Sequence, residues 1–153
     1  MLIFFDAFRL PLLTKLQESN DKTLSSIAEK ALKETKYHLK HSSEWVVRLG
    51  DGTEESHDKI QESLNTLYRY SHELFFVDEV DVLLQEKGII PVLDDIKTEW
   101  DQTVKEVLEM ATISLPMNNW NFEGGRIGRH SEHMGYLLAE MQYMQRTYPN
   151  MEW

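Results

Sequence analysis

Leu32-Lys33-Glu34-Thr35-Lys36-Tyr37-His38-Leu39-Lys40-His41-Ser42-Ser43-Glu44-Trp45-Val46-Val47-Arg48-Leu49-Gly50-Asp51-Gly52 is a long stretch with no proline and no glycine until its last three residues. Extended back to Thr23, it carries Leu24, Ile27, Ala31, His38, Trp45 and Leu49 near helical periods, which predicts one helix of about 27 residues and about 40 Å. The turn Ser19-Asn20-Asp21 offers side chains to cap its start, and Gly50 and Gly52 supply the stop. A helix of that length is a bundle element.

Working outward from it, Phe5, Phe8, Leu12 and Leu16 fall on one stripe of a preceding helix that Pro11 is expected to bend or interrupt. That apolar amino end lacks a basic leader and contains Asp6, Arg9 and Pro11, so it reads as a core helix rather than a signal segment. Downstream, Thr53 caps a helix with Glu54 and Glu55 in its first turn, expected to run through Ile60, Leu64, Leu67 and Tyr68 to about Phe76. Val77 to Lys87 predicts a short helix ended by Gly88, with Ile89-Ile90-Pro91 as an extended connector. Ile96, Trp100, Val104, Val107, Leu108 and Ala111 mark a further amphipathic helix over 93–113. After a polar, glycine-rich loop over 115–129, a last helix is expected over 130–147, with Met134, Leu137, Leu138, Met141 and Met144 as core or interface packing. The fold class is all-α, with residues 1–153 as one helical domain.

Composition narrows the function. With 26 acidic against 16 basic side chains the chain carries a formal charge of −10, which repels a phosphate backbone and argues against nucleic-acid partners. The absence of cysteine removes zinc ribbons, iron–sulfur clusters and thiol catalysis, and is compatible with a cytoplasmic location. No run approaches the roughly 20 apolar residues that span a bilayer, so no membrane segment is expected. No phosphate-binding glycine loop and no nucleophile elbow appear.

Histidines and acids at helical spacing raise the possibility of metal chemistry. A carboxylate-bridged di-iron centre takes a Glu from each of two bundle helices and a Glu-x-x-His from each of two others. His38 has the imidazole position of such a motif, but Thr35 stands three residues earlier and cannot supply the carboxylate. The literal Glu-x-x-His, Glu54 with His57, lies in a capped first turn where the helix dipole already accounts for the acid. Glu34, His38 and His41 share one side of the long helix, so a carboxylate-histidine oxidase drawing further acid from Glu99 or Glu106 is the alternative. His130 and His133 repeat the one-turn spacing without an evident carboxylate partner. Together with Trp120 and Phe122 of the preceding loop they are the candidates for contact with a partner.

Four segments carry a resemblance along the chain: Lys30 to Ser56; Phe4-Phe5-Asp6-Ala7-Phe8; His72-Glu73-Leu74-Phe75 with Asp78-Glu79-Val80-Asp81 following; and Gly125 to Arg146. In order and spacing they resemble the non-catalytic C subunits of the bacterial phenylacetyl-CoA epoxidases, also called phenylacetate-CoA oxygenases. The resemblance implies a ferritin-like bundle that binds no cofactor itself. It would support a di-iron catalytic subunit that epoxidises phenylacetyl-CoA in aerobic phenylacetate catabolism. Asp6, Glu34 and His38 would then be remnants of an ancestral metal site, and the partners would be the catalytic oxygenase subunit and the other epoxidase subunits. Members of that group carry further helices ahead of the one containing Asp6. This chain is therefore expected to be a partial, C-terminal portion of such a bundle, and to form a homo-oligomer when isolated.

Overall fold

The computed structural model describes residues 2–117 and 120–152. Helices dominate, and the described residues contain no strand. α1 (Leu2–Leu16) and α2 (Lys22–Gly50) form a hairpin across a short turn. α3 (Glu54–Leu67) follows after two further turn residues and the Thr53 cap, and passes into a 3-10 segment at Tyr68–Phe75. α4 (Glu79–Glu86) is short, and α5 (Leu93–Met110) returns through the core. A 3-10 turn at Gly125–Ile127 precedes α6 (His133–Met141) and α7 (Tyr143–Thr147).

The start of α2 is fixed by Asp21, whose carboxylate accepts from the Thr23 and Leu24 amides at 2.8 and 3.1 Å. The α1–α2 turn is tied to the distant α4–α5 connector: Ser19 donates to the Ile89 carbonyl at 2.7 Å and the Asn20 side chain to that of Lys87 at 2.7 Å. α1 remains helical through Pro11, which is buried. Loss of one amide donor is therefore offset by packing rather than expressed as a break.

The core joins Ile3, Phe4 and Ala7 of α1, Val46 of α2, Leu64 of α3 and Trp100, Val104, Val107 and Leu108 of α5. Trp100 is its centre. Its indole donates to the Phe4 carbonyl at 2.8 Å, and its ring lies 5.8, 5.3 and 6.3 Å from those of Phe4, Phe75 and Tyr68. A buried indole whose N–H has found an acceptor meets both requirements of that residue.

Four details differ from the sequence expectations. On α1 the buried face is Ile3, Phe4, Ala7 and Pro11, while Phe5 is exposed and Phe8 only partly buried. On α2 the inward residues are Ala28, Thr35, Ser42, Val46 and Gly50, a face rotated away from Ile27, Trp45 and Leu49. Small side chains there let the neighbouring helices approach, and Gly50 is so close to α5 that a Cβ would lie 2.2 Å from the Ala111 carbonyl oxygen.

The third helix does not reach Phe76 as α-helix but tightens at Tyr68. Ser71 is buried there and its hydroxyl donates to the Tyr68 carbonyl at 2.7 Å, competing with the regular ladder. The last helix begins at His133 rather than 130 and is divided at Gln142. Its Met141 and Met144 and its Leu137 are exposed, so the methionine stripe is not core.

Candidate functional site

The ferritin-like resemblance makes the positions expected to be metal-site remnants the first place to look for chemistry. Asp6 is buried on α1 and Thr35 is buried on α2 with its hydroxyl lacking a hydrogen-bond partner. Glu34 and His38 lie on the outer side of α2, where Nε2 of the imidazole is 3.6 Å from the carboxylate. His41 is exposed one turn on, stacked 6.0 Å from Tyr37. His38 is thus half-exposed beside Glu34.

Glu99 and Glu106 belong to α5, where Glu99 faces Lys15 at 3.6 Å and Glu106 accepts from Gln102. Among the described residues no three His, Asp or Glu side chains converge as a metal site would require. The donor set therefore does not fit a di-iron centre. His57, of the literal Glu-x-x-His, has its Nδ1 2.8 Å from the Gly50 carbonyl and locks the α2–α3 corner.

The second set of candidates is brought together. The glycine loop folds back over the 3-10 segment: the Phe122 amide donates to the Arg69 carbonyl at 3.0 Å, and the Phe122 ring lies 5.1 Å from that of Tyr70. The Arg69 guanidinium stands 5.1 Å from the Tyr70 ring centre and 5.3 Å from that of Trp120, and Arg129 covers Phe122 at 5.7 Å. These distances suit cation–π attraction and make one interleaved platform of arginine and aromatic rings. Next to it lies a cleft of about 530 Å³ lined by Tyr70, Glu73, Phe122, Gly125, His130 and His133, with Met134 and Leu137 of α6 at its rim. Phe122, His130 and His133 meet at this cleft, with Trp120 6.4 Å from Phe122.

Two anchors hold the loop. The Gly124 amide donates to Glu73, and left-handed backbone at Gly124 and Gly128 (φ +99° and +93°) lets the Arg129 amide close back onto the Gly124 carbonyl at 2.9 Å. Arg126 reaches the start of α4, pairing with Asp78 at 2.9 Å and Asp81 at 2.5 Å and donating to the Phe76 carbonyl at 2.9 Å. Asp78 and Asp81 themselves form a reciprocal capping box. The Arg126 hydrogen bond, with help from the Asp78 amide, holds the Asp81 carboxyl below the usual carboxylate range. Sequence reasoning missed Arg69, Tyr70, Glu73 and Arg126. The signal available was a G-G-R-I-G-R run opposite two acidic cap positions, but nothing local says which acids it meets.

The platform has the composition of a binding hot spot, since Trp, Tyr and Arg contribute disproportionately at interfaces. Arg69 Nε is buried without a hydrogen-bond partner. No helix among the described residues is long and apolar enough to cross a membrane.

Comparison with known proteins places this architecture. Residues 1–153 match the family described as Phenylacetic acid catabolic protein. The chain is 42% identical over 150 residues to the C subunit of the 1,2-phenylacetyl-CoA epoxidase of Escherichia coli K12, an alignment that takes in 98% of this chain and 60% of that protein. This chain thus spans about 60% of the length of that relative. On a match along its whole length, the chain belongs to the phenylacetic acid catabolic protein family.

Proposed function

We propose that this chain acts as a structural, non-catalytic subunit of a multicomponent phenylacetyl-CoA epoxidase, a monooxygenase of aerobic phenylacetate catabolism. In this reading it supports a separate di-iron catalytic subunit and works in the cytoplasm. The observation that carries the proposal is Thr35. It is fully buried where a bridging carboxylate would be needed, while Glu34 and His38 are turned outward. A helix whose inward position offers a hydroxyl in place of a carboxylate cannot bridge two irons, so binding to a partner remains as the role. The relative's printed role as part of an epoxidase supports the same reading.

The Trp120, Phe122, Tyr70 and Arg69 platform is the proposed docking surface, with His130 and His133 flanking its cleft. Its test is titration of the purified catalytic subunit against the chain and against Trp120→Ala with Phe122→Ala. Removing two aromatic anchors is expected to weaken binding by roughly 10- to 100-fold. Iron is measured on the same samples after anaerobic ferrous loading. Stoichiometric iron on this chain alone, or unchanged affinity in the double variant, overturns the proposal.

A further inference from the structure

Tyr68–Phe75 is wound as 3-10 helix for eight residues, whereas such runs seldom exceed about three or four. Its sequence, Tyr68-Arg69-Tyr70-Ser71-His72-Glu73-Leu74-Phe75, holds no glycine or proline and continues α3 directly, so nothing local forbids α-helix there. The tighter winding has the poorer hydrogen-bond geometry of the two, and contacts on both of its sides keep it. On the inner side Ser71 is buried with its hydroxyl donating to the Tyr68 carbonyl at 2.7 Å. Tyr68 and Phe75 lie 6.3 and 5.3 Å from the Trp100 ring, and Phe8 of α1 lies 5.5 Å from Phe75. On the outer side the segment carries the glycine loop. The Arg69 carbonyl accepts the Phe122 amide at 3.0 Å, the Tyr70 ring meets that of Phe122 at 5.1 Å, and Glu73 accepts the Gly124 amide.

The winding decides whether the outer grips work together. In a 3-10 helix residues three apart eclipse, so Tyr70 and Glu73 stand on one line, about 6 Å apart along the axis, and both wall the cleft. α-Helical winding would turn Glu73 by about 60° from Tyr70 and shorten that separation to about 4.5 Å. The two grips on the loop, at Phe122 and Gly124, are separated by a single residue, so the displacement breaks one of them.

We infer that Tyr68–Phe75 is a two-state coupler: wound as 3-10 helix it holds the loop and assembles the arginine–aromatic platform, and rewound as α-helix it continues α3 and lets the loop go. Ser71 is the positioning residue, since its hydroxyl engages the carbonyl that the His72 amide would take in an α-helix. A ligand that grips Tyr70 and Phe122 together favours the first state, and by linkage the winding sets how tightly that ligand seats. The coupling is internal to the chain and stands whether or not the platform docks a catalytic subunit.

Variants on opposite sides of the contact test it in the purified chain. Ser71→Ala removes the hydroxyl and raises helix propensity, while Phe122→Ala lies in the loop and leaves the sequence of the segment intact. Winding is read by nuclear magnetic resonance, in which Hα-to-amide contacts reaching the fourth residue on mark α-helix and those reaching only the second and third mark 3-10 helix. Loop docking is read by hydrogen exchange of the Phe122 and Gly124 amides, both of which donate to the segment. Ser71→Ala is expected to gain the α pattern over 68–75 and to quicken exchange at both amides about tenfold. Phe122→Ala is expected to gain the same α pattern from outside the segment. Unchanged exchange in a folded Ser71→Ala, or a segment that stays 3-10 in Phe122→Ala, overturns the inference. Circular dichroism checks folding, and if Ser71→Ala fails to fold the Phe122→Ala result decides alone.

Discussion

Replacing Gly50 with alanine tests the packing on which the rest of the fold is hung. Gly50 ends α2 against the carboxyl end of α5, and a Cβ there would stand 2.2 Å from the Ala111 carbonyl oxygen and 2.9 Å from its Cβ. Ordinary carbon–oxygen contact needs more than about 3.3 Å, so the two backbones must part by about 1 Å. Overpacking of this kind costs about 1–3 kcal/mol, and the intruded atom is backbone, which has no rotamer in which to retreat. Alanine regains at most about 1 kcal/mol of helix propensity, less at a terminal position. The same displacement pulls the Gly50 carbonyl from His57 Nδ1 (2.8 Å) and the Thr112 hydroxyl (3.4 Å). A net loss of about 2 kcal/mol corresponds to a fall in Tm of about 4–8 °C for a domain of this size. Thermal unfolding followed by far-ultraviolet circular dichroism reads it. Gly135→Ala is the control: it lies in α6 with nothing within 4 Å of the added carbon, so its Tm should hold or rise. An unchanged or raised Tm for Gly50→Ala would refute the close α2–α5 contact.

Acidification should cost stability first through His72. Burial, and secondarily the Lys97 charge, depress its pKa below the usual 6.5, so the unfolded chain binds the proton more readily than the folded one. Its contribution is whole above pH 6.5 and declines as the pH falls toward the depressed folded value, so urea midpoints should drop between pH 7.5 and 5.5 and drop less in His72→Gln. An equal decline in both would remove His72 as the cause. Arg126→Met should free the glycine loop from Asp78 and Asp81 without unfolding the bundle, since the ion pair is partly exposed. Hydrogen exchange at residues 120–131 is expected to quicken about tenfold while Tm moves by only a few degrees; unchanged exchange would mean that Glu73 alone holds the loop.

Much of the helical framework was legible because its signals are local. Asp21, Thr53 and Asp78 cap where polar side chains precede apolar periods, and Gly88 follows the end of α4 as expected, with φ +64°, whereas Gly50 and Gly52, expected to stop α2 through left-handed backbone, do not adopt it and Gly50 is the last residue of that helix. What was not legible is which side of α2 is inside. Ile27 and Trp45 make the stronger apolar stripe, but the core takes the weaker one through Ala28 and Val46, since close helix approach selects for small size rather than hydrophobicity. The 3-10 segment was missed for a similar reason: Ser71 takes the Tyr68 carbonyl only once Phe75 and Tyr68 are drawn to Trp100 from a distant helix. The contact candidates Trp120, Phe122, His130 and His133 stand out by residue type and loop context alone. Their partners Arg69, Tyr70 and Glu73 are some fifty residues away, and only the fold supplies them.

The mismatch on α2 also separates two stretches of surface. Glu34, His38 and His41 share one stripe of α2, exposed or half-exposed, with Tyr37 and Trp45 on either side of His41. The surface around Arg69 and Phe122 is assembled from other elements altogether. The two should therefore fail separately. Trp120→Ala with Phe122→Ala should weaken capture of a catalytic subunit by roughly 10- to 100-fold, whereas Glu34→Ala with His38→Ala should leave it unchanged. An equal loss in both variants would mean that the outer side of α2 and the arginine–aromatic platform form one docking surface.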